Sequence, residues 1–118
     1  KRDKELTILI VDDNPAMRQL VRSIVSKLSD EIFECEDGDQ VLAAFTEHQP
    51  DWVVMDVEMK RMDGLQATAQ LIAHYPETKI VIVTRHTDVQ TRAAASAAGA
   101  SAFCSKDNLL LLRTLMQA

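Results

Sequence analysis

Four strand-like runs in this chain end in polar or charged residues, and this pattern constrains the fold more than any other feature. The runs and the residues that follow or close them are Leu6 to Val11 with Asp12 and Asp13, Trp52 to Met55 with Asp56, Ile80 to Val83 with Thr84, and Ser101 to Ser105 with Lys106. Packing does not favour a charge at the end of a buried run. If the runs are parallel strands of one sheet, these polar groups meet at its carboxyl edge, where open α/β sheets bind ligands.

Segments with helical character separate these runs, so that strand-like and helix-like segments alternate five times. Strands are predicted near 6–12, 31–35, 51–56, 79–84 and 101–105, and helices near 15–28, 38–48, 64–74, 87–98 and 107–117. Asn14 is a suitable N-cap for the first helix, and Pro15 is a suitable first helical residue. The alternation predicts an α/β fold: a flavodoxin-like doubly wound (βα)5 domain with a parallel five-stranded sheet of order 2-1-3-4-5.

The composition is that of one globular domain, since 47% of the 118 residues are hydrophobic. The formal net charge of −5 argues against nucleic-acid binding by this segment itself, which would need a basic face. No apolar stretch approaches the ~20 residues of a membrane span. We therefore expect one soluble, cytoplasmic domain over residues 1–118 that contacts no membrane, with residues 1–5 as a charged lead-in.

The two cysteines, Cys35 and Cys104, fall in the second and fifth predicted strands. The order 2-1-3-4-5 places these strands at opposite edges, separated by four strand spacings of about 4.8 Å. A disulfide needs Cα atoms within ~7 Å of each other. We therefore predict two free and mostly buried thiols.

Three carboxylates, a hydroxyl and an ammonium group would share the predicted carboxyl edge. Asp12, Asp13 and Asp56 would repel one another there, and one of them would tend to take up a proton unless a cation were bound. Mg²⁺ suits this set, because it takes one or two carboxylates, keeps several waters and leaves positions for a phosphate. The alternative is that Asp12 and Asp13 serve only as partners of the first helix dipole, although Asn14 already accounts for that helix start. The set indicates phosphoryl chemistry.

These residues belong to a larger set of motifs in a fixed order. The set comprises Asp12-Asp13, Asp56, Met59, Met62-Asp63-Gly64, Thr84, Ala98-Gly99-Ala100, Phe103 and Lys106. With these motifs, the chain resembles over its whole length the receiver domain of bacterial two-component response regulators, most of all receivers joined to helix-turn-helix effectors. The resemblance implies a signalling switch controlled by phosphorylation, which is not an enzyme beyond catalysing its own phosphorylation and dephosphorylation.

The resemblance also implies how phosphate and metal would be bound. Asp56 would accept a phosphoryl group from a sensor histidine kinase or a phosphotransfer protein. Asp13, Asp56 and the backbone carbonyl of Glu58 would ligate Mg²⁺, and Asp12 would hold it largely through water. Lys106 would bind phosphoryl oxygens.

Two further residues would carry the response to phosphorylation. The resemblance implies that Thr84 also binds the phosphoryl group and that Phe103 is the aromatic residue that changes rotamer in the active state. The segment Ala93 to Ala98 has little side-chain area to anchor its helix to the sheet, so this helix is expected to shift most easily.

The expected output is transcriptional regulation by a DNA-binding effector domain beyond residue 118. In the last predicted helix, an apolar arc is wider than a surface helix needs, so part of it is expected to face a partner. The arc comprises Leu109, Leu111, Leu112, Leu115 and Met116, with Leu110 outside it. We expect a homodimer or a contact with the attached effector.

Three positions depart from the family pattern. Lys60 and Asp107 each stand where proline is common, and Arg85 stands directly after Thr84, where a small residue is usual. Glu58 and Arg85 would come from loops at adjacent strands, so we expect them to form an ion pair that gates access to the site. The alternative is that Arg85 points into solvent.

Two other functions compete with the receiver hypothesis. A hydrolase of the haloacid-dehalogenase kind would need Asp-x-Asp-x-Thr after its first strand, where this chain has Asp12-Asp13-Asn14-Pro15. A chain of 118 residues also leaves no room for a capping domain over the substrate. A receiver-like interaction module that no longer accepts phosphate is disfavoured, because Asp13, Asp56 and Lys106 are all present.

Overall fold

A computed structural model describes residues 6–117, so the charged lead-in predicted for residues 1–5 lies outside the described part. The strands are β1 (Thr7–Val11), β2 (Glu31–Cys35), β3 (Trp52–Asp56), β4 (Lys79–Thr84) and β5 (Ala102–Ser105). They form one parallel sheet of order β2-β1-β3-β4-β5. The predicted sheet order is confirmed, and each strand end lies within one residue of its predicted position.

Five helices connect or follow the strands, as predicted. They are α1 (Pro15–Val25), α2 (Val41–His48), α3 (Gly64–His74), α4 (Val89–Ala98) and α5 (Leu111–Gln117). Asn14 caps α1, since its side-chain oxygen accepts hydrogen bonds from the amides of Ala16 and Met17. Gly99 ends α4 with a φ of 108°, a backbone conformation that glycine adopts without strain.

Several helices are shorter than predicted. Leu28 still packs in the core although α1 ends at Val25, which explains why the apolar pattern predicted a longer helix. The fourth helix begins at Val89 because the side chain of Asp88 caps it. Single 3-10 turns at Gly38–Gln40 and Lys106–Asn108 replace the predicted first turns of the second and fifth helices.

Helices cover both faces of the sheet. Successive strand residues point to opposite faces, so Ile8 and Ile10 of β1 pack with α1 and α5, whereas Leu9 and Val11 pack with α2, α3 and α4. This is the doubly wound, flavodoxin-like fold that the sequence predicts. As predicted, the two cysteines are free and buried, and they lie in opposite edge strands.

The segment that leads into α5 is only partly buried. Leu112 and Met116 face the core, whereas Leu110 is 65% exposed and Leu111 is 40% exposed. Part of the predicted apolar arc therefore faces solvent. Among the helices of residues 6–117, none has the length and apolar character needed to cross a membrane.

Candidate functional site

Three carboxylates meet at the carboxyl edge of the sheet, as the sequence predicts. Asp12 directly follows β1, and Asp56 is the last residue of the adjacent strand β3, whose Met55 pairs with Val11. Oxygen atoms of Asp12, Asp13 and Asp56 lie within 4.8 Å of one another. Asp12 and Asp56 are buried, with 3% and 5% of their surface exposed, and Asp13 is half-buried.

Lys106 reaches this acidic cluster from the end of the edge strand β5. It follows β5, and its Nζ lies 3.0 Å from Oδ1 of Asp56 and 3.2 Å from Oδ2 of Asp12. Burial disfavours the ammonium form, but the hydrogen bond and charge of Asp56, together with Asp12, outweigh it and raise the pKa of Lys106. Lys106 is therefore the resident cation of the site.

A single ammonium group does not neutralise three carboxylates. Burial raises the pKa of Asp56 to about 6; Lys106 opposes this shift, and the charges of Asp12 and Asp13 add to it. With three carboxylates and one ammonium group close together, the edge carries an excess of negative charge. A hard divalent cation with oxygen ligands fits this donor set, and Mg²⁺ fits it best because neighbouring carboxylates can share it while it keeps its remaining waters.

Asp12 also has a structural role that the sequence did not reveal. Its Oδ1 accepts the amide hydrogen of Asn14 at 2.9 Å, and its backbone carbonyl accepts a hydrogen bond from Arg18 at 2.7 Å. These bonds tie Asp12 to the segment that leads into α1 and to α1 itself. Its other carboxylate oxygen, Oδ2, pairs with Lys106 and remains part of the acidic cluster.

Thr84 and Phe103 lie on the opposite side of Asp56 from Asp12. Thr84 is buried at the end of β4, and its hydroxyl accepts the amide hydrogen of His86 at 3.0 Å. Phe103 is half-buried, and the guanidinium of Arg92 lies 4.5 Å from the centre of its ring. Arg92 also donates from Nε to the carbonyl of Thr87 at 3.2 Å. Arg92 thus links the loop after β4 to Phe103, a connection that sequence reasoning missed.

The predicted ion pair between Glu58 and Arg85 is wrong. An oxygen of Glu58 lies 3.1 Å from Nε2 of His86, while Arg85 is exposed and forms no ion pair within residues 6–117. The reason is local geometry: the chain bends at Arg85 directly after β4, and the His86 amide bonds the Thr84 hydroxyl, so that His86 rather than Arg85 reaches Glu58. His86 and Glu58 are both mostly exposed, so this contact is weak.

The loop between β3 and α3 is held in place by Asp37, which sequence reasoning also missed. The buried carboxylate of Asp37 accepts the amide hydrogens of Lys60, Arg61 and Met62 at 2.9–3.1 Å. The sequence Asp37-Gly38 before a helical segment signals a cap. No local signal shows that its acceptor atoms serve a loop more than twenty residues away.

The fold and this acidic edge define the class to which the chain belongs, that of receiver domains. Residues 8–116 match the response regulator receiver domain family, so the chain belongs to that family. It is therefore a domain of phosphorylation-dependent signalling proteins. Receivers of this kind generally bind Mg²⁺ at an acidic cluster.

Individual relatives show the same domain in different proteins. The chain is 39% identical over 80 residues to a protein-glutamate methylesterase/protein-glutamine glutaminase of Hahella chejuensis, covering 67% of this chain and 23% of that protein. It is 34% identical over 104 residues to YhcZ of Bacillus subtilis, described as an uncharacterized transcriptional regulatory protein, covering 86% of this chain and 49% of that one. The chain thus spans less than half of either relative.

Among solved structures, the fold matches the chemotaxis protein CheY4 of Vibrio cholerae with a TM-score of 0.86 and 28% identity. The match covers 95% of this chain and 97% of the CheY4 chain. The receiver fold therefore accounts for nearly all of the chain.

Proposed function

We propose that Asp56 accepts a phosphoryl group from a sensor histidine kinase or a phosphotransfer protein and that this modification switches the domain between two signalling states. The observation that carries this proposal is the buried Asp56 carboxylate, 3.0 Å from the Lys106 ammonium and within 4.8 Å of the other two acidic side chains. Buried acids gathered around one cation cost stability, so such a cluster is typical of a functional site.

An oxygen of Asp56 would attack phosphorus, forming an acyl phosphate while the bond from phosphorus to the donor nitrogen or oxygen breaks. Positioning and charge neutralisation supply most of the catalysis in such transfers. Lys106 already contacts Asp56 and would bind the incoming phosphoryl oxygens. Asp13, Asp56 and the carbonyl of Glu58 would hold Mg²⁺, with Asp12 acting through water. When bound, that ion would neutralise charge between the carboxylates and the phosphoryl group.

Thr84 and Phe103 would carry the switch. The Thr84 hydroxyl bonds its own loop through His86, so turning towards a phosphoryl group would release the amide of His86 and rearrange that loop. Phosphoresidues carry about −1.5 to −2 charges, enough to attract a neighbouring hydroxyl donor. Phe103 would then change rotamer beside α4. Access to the site would be limited by His86 and Glu58 rather than by Arg85.

For the output, we propose transcriptional regulation through an attached DNA-binding domain of the same cytoplasmic protein. The resemblance to transcriptional regulators supports this choice, and the net charge of −5 leaves DNA contact to the attached domain. The domain itself would catalyse only its own phosphorylation and dephosphorylation. The exposure of Val89, Leu110 and Leu111 supports dimer or effector contact through the surface made by β4, α4, β5 and α5.

Phosphate acceptance is tested by labelling the domain with radioactive acetyl phosphate. Wild type should label only with Mg²⁺ present, and Asp56→Asn should abolish labelling. Asp51→Asn is the matched control, because Asp51 is exposed near the opposite end of the same strand and bonds the amide of Thr7. Wild-type labelling of Asp56→Asn would show that the phosphoryl group is placed elsewhere.

The output is tested by sedimentation of the full-length protein with and without beryllofluoride, a mimic of the phosphoryl group. The proposal expects a change of mass or shape that Leu110→Ser weakens. An unchanged sedimentation coefficient in wild type would remove the proposed role of this surface.

A further inference from the structure

Asp37 and Gly38 hold the tip of the loop between β3 and α3 through hydrogen bonds to its backbone, which together form a clasp. Oδ2 of Asp37 accepts the amide hydrogens of Lys60 at 3.1 Å and Arg61 at 3.0 Å, and Oδ1 accepts those of Met62 at 2.9 Å and Asp39 at 3.4 Å. The amide of Gly38 donates to the carbonyl of Met62 at 3.2 Å. Asp37 is only 2% exposed, so its negative charge is stabilised mainly by backbone amides.

The clasp connects two strands that are not neighbours. Asp37 follows β2, whereas the loop follows β3, and β1 lies between these strands. The contact therefore joins the segments that follow the two neighbours of β1, the strand that Asp12 and Asp13 follow. It ties the loop that contains Glu58 to the segment that follows β2.

Two further contacts close the same loop at its base. The amide of Gly64 donates to the carbonyl of Val57 at 2.8 Å, and a Cβ atom added at Gly64 would lie 1.8 Å from the carbonyl oxygen of Asp56. The base of the loop is therefore packed directly on Asp56. The amide of Lys60, which a proline at this position would lack, is used by the clasp.

We propose that Asp37 is a positioning residue for the metal site: its carboxylate orders the loop so that the Glu58 carbonyl is held in place to ligate Mg²⁺ beside Asp13 and Asp56. This inference rests on the proposed function, because it requires that site to bind Mg²⁺. Groups that orient metal ligands without touching the metal change metal affinity by about 10-fold or more when removed.

The role requires a carboxylate at position 37. Both oxygens accept at least two amide hydrogens, so an asparagine would satisfy one pair and present its own N–H groups to the other pair. Asp37→Asn thus preserves size while removing half of the clasp. Asp39→Asn is the matched control, because Asp39 is exposed and, among residues 6–117, its side chain binds only the exposed guanidinium of Arg61.

The experiment measures Mg²⁺ affinity by calorimetry and stability by urea denaturation for wild type and the variants. Asp37→Asn should raise the Mg²⁺ Kd about 10-fold, whereas Asp39→Asn should stay within about 2-fold of wild type, the scale of an exposed ion pair. Gly38→Ala provides a second route, since its Cβ would lie 2.3 Å from the carbonyl oxygen of Met62 and displace the loop without altering a charge. Its Mg²⁺ Kd should rise as well.

The results of these measurements distinguish the positioning role of Asp37 from the proposed Mg²⁺ site itself. Lower stability of Asp37→Asn with an unchanged Mg²⁺ Kd would make the clasp merely structural and overturn this inference alone. Absence of Mg²⁺ binding by wild type would overturn both the inference and the proposed site. If Asp37→Asn does not fold, the Kd of Gly38→Ala decides, and a wild-type value overturns the inference.

Discussion

The two loops that flank Asp56 are held in very different ways. The β3–α3 loop is closed at its base by the Gly64 amide and clasped at its tip by Asp37, which belongs to a distant part of the chain. The β4–α4 loop is held by its own Thr84 hydroxyl and by Arg92 of the helix that follows. Among the ion pairs of residues 6–117, one joins the two loops. It is the pair between the exposed side chains of Glu58 and His86.

The helices behind these loops differ in the same sense. Gly64, Ala67, Thr68 and Leu71 of α3 are buried, whereas α4 buries only Ala95. The low buried area of α4 agrees with its alanine-rich sequence, in which most side chains have little surface to bury. The well-packed side, formed by α3 and the β3–α3 loop, can hold the reacting groups in place. The weakly anchored side, formed by α4 and the β4–α4 loop, can move when charge is added at Asp56.

The largest expected difference between the two sides is the loss of folding stability when a glycine at an end of each helix is replaced by alanine. Gly64→Ala would place a Cβ atom 1.8 Å from the carbonyl oxygen of Asp56, a backbone clash that we expect to cost at least ~3 kcal/mol. Gly99→Ala at the end of α4 meets a side-chain atom of Ile72 at 2.8 Å, with φ of 108°, and should cost about 1–2 kcal/mol. Urea denaturation measures both; equal costs would contradict the idea of one rigid and one yielding side.

The negative charge of ionised Asp56, which lies between the two loops, should destabilise the fold. The folded-state pKa of Asp56 is about 6, above the usual value near 4, so the folded protein keeps this proton as the pH rises from 4 to 6. Stability without Mg²⁺ should therefore fall over that range and stay low above it. Relative to wild type without Mg²⁺, Asp56→Asn should raise the free energy of unfolding by ~2 kcal/mol at pH 7 and by almost nothing at pH 4.

Urea denaturation of both proteins in chelator at several pH values tests this expectation. The pH-dependent gain should shrink when Mg²⁺ is added to wild type, because the ion neutralises the same charge. A gain that is equal at pH 4 and pH 7 would show that ionisation of Asp56 is not its source.

The sequence predicted one part of this contrast and not the other. Asp12, Asp56 and Lys106 are predicted from sequence because each ends or directly follows a strand, and parallel strands bring their carboxyl ends to one edge by topology alone. The alanine-rich composition of α4 also indicated a weakly packed helix. These features depend on local sequence and on the general geometry of the fold.

The contacts between loops could not be predicted in the same way. The reach of Asp37 to Lys60 and the choice of His86 rather than Arg85 depend on the path of each loop, which no periodic pattern records. The two 3-10 turns were missed for a related reason, since apolar spacing does not distinguish a tight turn from the first turn of an α-helix. The way in which each loop is held therefore emerges only from the three-dimensional contacts.

Hydrogen exchange should detect the contrast directly. The amides of Lys60, Arg61 and Met62 are bonded to a buried carboxylate, so we expect them to exchange at least ~10-fold more slowly than the amide of His86, whose acceptor belongs to its own loop. Beryllofluoride should change exchange across 84–98 more than across 57–63. Comparable changes in both segments, measured by NMR, would mean that the clasped loop also moves.

The smallest expected effect concerns Arg92, which connects the β4–α4 loop to Phe103. Its guanidinium lies 4.5 Å from the ring centre while its Nε donates to the Thr87 carbonyl, so it stabilises the present ring orientation together with the present loop conformation.

Cation–π contacts at exposed sites contribute about 0.5–1 kcal/mol. Because the loss of Arg92 would free both the ring of Phe103 and the loop after Thr84 to rearrange, Arg92→Ala should favour the switched state and raise beryllofluoride affinity about 2- to 5-fold. Lys79→Ala is the matched control, since Lys79 lies 5.8 Å from the ring of Trp52 near the opposite edge of the sheet. Titration followed by NMR gives both affinities, and a weaker affinity in Arg92→Ala would show that Arg92 supports the phosphorylated orientation of Phe103 instead.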